Sequence, residues 1–88
     1  MAFSLRITRR AAAEIERAGR WWLENRLSAP DALRQDLQSA FTLLKRQPGV
    51  GARVGNTRLQ SVRRLHLGRI RYFLYYMLQK EEIVVLSF

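Results

Sequence analysis

The chain has 88 residues, no cysteine, and 16 Lys and Arg against 7 Asp and Glu, a formal net charge of +9. A chain this short buries about 60% of the surface it exposes when unfolded, and it has no disulfide or thiolate metal site to add stability. Hydrophobic residues make up 48% of it, which excludes a disordered tail; a signal peptide and a membrane span are excluded by the lack of a long apolar run.

These limits predict one domain spanning residues 1–88 in a reducing cytoplasm. Of the 16 cations, 14 are arginines. Arginine is suited to bidentate contact with carboxylates or phosphates and to stacking on aromatic rings. So large an imbalance favours an anionic partner.

Phe3, Leu5 and Ile7 alternate with Ser4, Arg6 and Thr8, the period of a half-buried strand. Thr8 is a candidate N-cap for a helix over residues 9–27. Ala11, Ile15, Ala18 and Trp22 form its apolar stripe. Trp21 lies about 100° around the helix from Trp22, and so near the surface. Ser28 is the expected N-cap of a second helix, with Pro30 and Asp31 in its first turn. Leu33, Leu37, Ala40, Phe41 and Leu44 fall at helical spacing, and Gln47-Pro48-Gly49 ends the helix. The short link predicts an antiparallel helical hairpin.

Residues 48–58 read as a loop with no phosphate-binding glycine spacing. Three strands follow: residues 61–67, a Gly68-Arg69 turn, residues 70–78, a polar turn over residues 79–82, and residues 83–88. Short turns make these neighbours antiparallel. The expected class is α+β, in the order β-α-α-β-β-β, with the hairpin on a small antiparallel sheet.

The middle strand has two apolar faces. Ile70, Tyr72, Leu74, Tyr76 and Leu78 point one way; Arg71, Phe73, Tyr75 and Met77 point the other. The helices cover only one face, and a large apolar patch rarely stays in water. A partner chain is the expected cover. Candidate apolar anchors are Trp21, Phe73, Tyr75 and Met77, and candidate charged contacts are Arg63, Arg64, Arg69 and Arg71. Nothing suggests a metal, nucleotide or organic cofactor.

The segments LRITRRAAAEIERAGRWWLE, VRRLHLGRIRYFLYYML and IVVLSF, in that order around an amphipathic helix and a glycine loop, resemble the ParE branch of the RelE/ParE superfamily of type II toxins. The resemblance covers essentially the whole chain. It implies a growth-inhibiting toxin with DNA gyrase as target. It also implies neutralisation by an acidic, ParD-like ribbon-helix-helix antitoxin in a toxin–antitoxin hetero-oligomer, with the antitoxin's reading frame immediately upstream.

Two alternatives remain open. One is a RelE-like, ribosome-dependent messenger ribonuclease; the other is a non-toxic antitoxin-binding module. Ribonuclease chemistry requires a general base and acid. His66 is the only histidine, and Tyr72, Tyr75 and Tyr76 lie on an apolar strand. RelE-like chains typically carry a basic residue on the last strand, and residues 83–88 have none; the resemblance therefore implies a non-enzymatic inhibitor. ParE-like chains usually continue into a short basic tail beyond the position of Phe88, and that tail is implicated in toxicity.

Overall fold

The computed structural model describes residues 3–55 and 61–88. Seven elements follow in chain order: β1 (Ser4–Ile7), α1 (Arg9–Asn25), α2 (Ala32–Arg46), β2 (Ala52–Arg53), β3 (Val62–Leu67), β4 (Tyr72–Gln79) and β5 (Glu82–Ser87). Two helices pack on one face of an open five-stranded sheet in the order β1-β5-β4-β3-β2. The class is α+β, as expected. The hairpin-linked strands β3, β4 and β5 are antiparallel, but β1 lies parallel beside β5, so the sheet is mixed.

Thr8 caps α1 as its position predicts: its hydroxyl accepts the Ala11 amide at 3.1 Å. This partners one of the N–H groups that a helix start leaves unbonded. Ala11, Ala18 and Trp22 are buried along the predicted stripe. The helix ends at Asn25 rather than Leu27. The Trp22 indole N–H donates to the Ala29 carbonyl at 2.7 Å, which fixes the turn out of the helix; Leu27 is left 78% exposed.

The expected Ser28 cap does not form. Successive turns, with Ala29 N donating to Arg26 O and Ala32 N to Ala29 O, carry the chain to Asp31. Asp31 is the cap residue of α2 and makes no side-chain cap hydrogen bond. The predicted face of α2 is otherwise intact, with Leu33, Leu37, Ala40 and Leu44 buried.

The core lies between helices and sheet. Leu44, Leu74, Tyr76, Ile83 and Val85 are fully enclosed. Each such aliphatic side chain contributes about 1.5–3 kcal/mol by leaving water. Phe88 returns to this side and stacks on Tyr72 with centroids 4.7 Å apart and rings 6° from parallel. A bulge allows this: Tyr75 pairs with Ser87 and Tyr76 with Val85, so Leu86 is one residue too many for the ladder. Phe88 is also tied to α1, its amide donating to Glu14 Oε1 at 3.0 Å.

The β3–β4 turn is longer than Gly68-Arg69. Leu67 pairs with Tyr72, leaving residues 68–71 in the turn. Ile70 therefore leaves the strand, yet its side chain is buried in the core. The β4–β5 turn is tighter than expected: Gln79 pairs with Glu82, so only Lys80 and Glu81 turn. The glycine loop contains β2, a two-residue strand missed by periodicity because two residues have none.

Candidate partner-binding surface

Strand alternation divides β4 as expected. Tyr72, Leu74 and Tyr76 face the helices. Phe73, Tyr75 and Met77 face away, with Phe73 37% exposed. Register supplies their neighbours on this open face. Met77 lies between Val62 and Val84, and Arg6 pairs with Val84 from β1. Val62 and Val84 are buried, yet neither belongs to the cluster beneath the helices. They form the floor of a second apolar layer on the face away from α1 and α2.

Arg64 and His66 flank Phe73 from β3. The Arg64 guanidinium carbon lies 4.8 Å from the Phe73 ring centroid, and the His66 ring stacks on Phe73 at 4.6 Å. Tyr75 continues the row, 6.4 Å from Phe73. At the other end Arg6 Nε donates to Glu82 Oε1 at 3.2 Å. The result is a strip of apolar and aromatic groups carrying arginines. It suits an amphipathic segment with acidic residues along its margins.

The structure therefore brings together four of the eight candidates: Arg64, Phe73, Tyr75 and Met77. Arg63 stands on the opposite face, where it pairs with Tyr76. Its Nη1 donates to the carbonyls of Gly51 at 2.7 Å and Gly49 at 3.2 Å. Beside it the Tyr76 hydroxyl donates to Pro48 O at 2.7 Å and accepts from the Gly51 amide at 2.9 Å. Burial pushes the Tyr76 hydroxyl pKa up, against the smaller downward effects of the Gly51 amide and the Arg63 charge. Arg63 and Tyr76 thus hold the glycine loop to the sheet.

Arg69, in the β3–β4 turn, makes a two-pronged contact with Asp36 of α2: Nη2 to Oδ1 at 2.6 Å and Nε to Oδ2 at 3.0 Å. Arg71 lies in the same turn with φ +63°. Trp21 is 46% exposed on α1. It lines a shallow cleft with Glu14, Tyr72 and Phe88, on the helix side of the sheet. None of these three shares the open face.

Four open-face residues were missed as candidates: Arg6, Val62, His66 and Val84. The parity of β3 and β5 could have supplied Val62, His66 and Val84 once Met77 was placed. Arg6 required the β1–β5 pairing. Among the described residues no three metal-ligating side chains cluster, and no helix is long and apolar enough to cross a membrane.

A family model described as the ParE toxin of a type II toxin–antitoxin system, parDE, matches residues 5–88. A solved structure of a chromosomal ParDE toxin–antitoxin system from P. aeruginosa is similar in fold, with a TM-score of 0.70. It is 25% identical, and the match covers 98% of this chain and 92% of that one. A search of curated proteins finds no match.

Proposed function

The chain belongs to the ParE toxin family of type II toxin–antitoxin systems, and from that premise we propose that it inhibits DNA gyrase in the cytoplasm and is neutralised by an acidic, ParD-like antitoxin seated on the open sheet face. The observation that carries the antitoxin site is the second apolar layer, Val62, Met77 and Val84, running into the aromatic row of Phe73 and Tyr75. An acidic amphipathic segment would cover Phe73 and the partly exposed Tyr75 and Met77 above the buried Val62 and Val84, and would meet Arg64 at its margin. The net charge of +9 supports the same partner chemistry.

Inhibition without bond-making by the toxin is the reading that the open face favours. His66 is stacked on Phe73, and the Glu82 carboxylate, two strands away on β5, is engaged by Arg6. A base and an acid flanking one substrate atom would need a different arrangement. The test is a supercoiling reaction with purified gyrase. The protein should block supercoiling or accumulate cleaved DNA, and an equimolar antitoxin should restore activity. Unimpaired supercoiling and no cleaved DNA, also with a basic tail added after Phe88, would overturn the gyrase reading; an antitoxin that still binds after Phe73 and Met77 are both replaced by serine would overturn the site.

A further inference from the structure

The β3–β4 turn contradicts local backbone chemistry. Gly68 occupies a position without positive φ, while Arg71, three residues on, adopts the left-handed conformation at φ +63°. A glycine at 71 would adopt it without steric cost, and an L side chain does not. Ser61 and Lys80 share the conformation, so what sets Arg71 apart is where its side chain lies.

Arg71 lines a concavity of about 460 Å³ on the helix side of the sheet, together with Arg26, Ser28 and Arg69. Each arginine is held differently. Arg69 is fixed by Asp36 through two hydrogen bonds. Arg26 lies 5.7 Å from the ring centroids of both Trp21 and Trp22. Stacking against indoles places a guanidinium without consuming its N–H donors. Arg71 is placed by the turn itself. Among the described residues neither Arg26 nor Arg71 has a carboxylate within ion-pairing distance.

We propose that this concavity is a phosphate-binding site, independent of the antitoxin face and accessible while that face is covered. Two uncompensated guanidinium groups match the double charge of a phosphate. The Ser28 hydroxyl adds a further donor, and phosphate has more acceptor oxygens than a carboxylate to use them. The phosphate is carried by a nucleic-acid backbone or by a free phosphate ion, and the two probes below separate these sources.

The test is an amide NMR titration of the 88-residue protein at constant ionic strength, with inorganic phosphate and, separately, a short DNA duplex. Saturable shifts should be confined to residues 26–32 and 68–72, and the tighter probe identifies the source. Arg71→Gly should weaken binding about tenfold, the loss of one charge-assisted contact, while leaving the melting temperature unchanged or raised. Arg26→Ala should weaken it comparably, and Arg9→Ala by less than about twofold. Shifts spread over the whole basic surface, or affinity unchanged in Arg71→Gly, would overturn the proposal. Because neither probe involves gyrase or an antitoxin, its outcome does not depend on the proposed function.

Discussion

Tyr76 and Gly51 fit each other closely: the tyrosine hydroxyl accepts the glycine amide at 2.9 Å, and a Cβ at residue 51 would stand 2.6 Å from that oxygen and 2.7 Å from the Arg64 carbonyl. Gly51→Ala should therefore cost about 2–4 kcal/mol, through overpacking and a displaced buried hydrogen bond. Tyr76→Phe removes only the hydroxyl and should cost about 1–2 kcal/mol. Urea unfolding of both variants checks the order; equal losses would mean that the close approach is relieved by loop movement.

Arg63 and Arg64 are adjacent in sequence and act on opposite faces. Arg63→Ala frees the carbonyls of Gly49 and Gly51 and should lower stability by about 1–2 kcal/mol. Arg64→Ala should change stability by less than about 0.5 kcal/mol. In an antitoxin-binding measurement the ranking should reverse, with Arg64→Ala the weaker binder by about tenfold.

The open face should make the free protein self-associate. Replacing Phe73 and Met77 together by serine should shift sedimentation toward monomer at a smaller cost in stability than truncating Leu44 or Leu74, since both residues lie outside the core beneath the helices. A wild-type monomer at high concentration, without any partner, would contradict this.

Glu14 should give the fold an acid limb. Desolvation raises its pKa, but the Phe88 amide and Arg10 together outweigh this and hold it below the usual carboxylate value. A carboxylate depressed in the folded state adds stability above its unfolded pKa, about 4.3. That contribution is lost as pH falls through the lower folded value. Glu14→Gln should therefore flatten the decline in stability below about pH 4.3, measured as unfolding free energy against pH in both proteins. Parallel curves would mean that Glu14 contributes no such linkage.

What the sequence revealed follows from what is periodic in it. The apolar stripe ending at Trp22 and the alternation from Tyr72 to Leu78 are local patterns, and both hold in the structure. The same period puts Arg63 and Arg64 on opposite faces, although both were expected at the partner surface, and His66 meets Phe73 only because the turn takes in residues 68–71. The features missed depend on distant partners. The parallel pairing of Leu5 with Ile83 spans most of the chain. Asp36 and Arg69 meet only after α2 packs beside the turn. The cap of α2 moved from Ser28 to Asp31 because the link is fixed from outside, by the Trp22 indole.

The parallel pairing of β1 with β5 has a consequence for synthesis. The ribosome delivers β1 first among the strands and β5 last, yet β5 is the inner neighbour on which β1 must align. Thr8, the cap of α1, also donates its backbone N–H to Val85. Until residues 82–87 emerge, the first strand has no ladder to join and the first helix lacks part of the surface it packs on. Completion of the sheet thus waits on residues 82–87, and the surface that crosses β5 forms only once they have emerged.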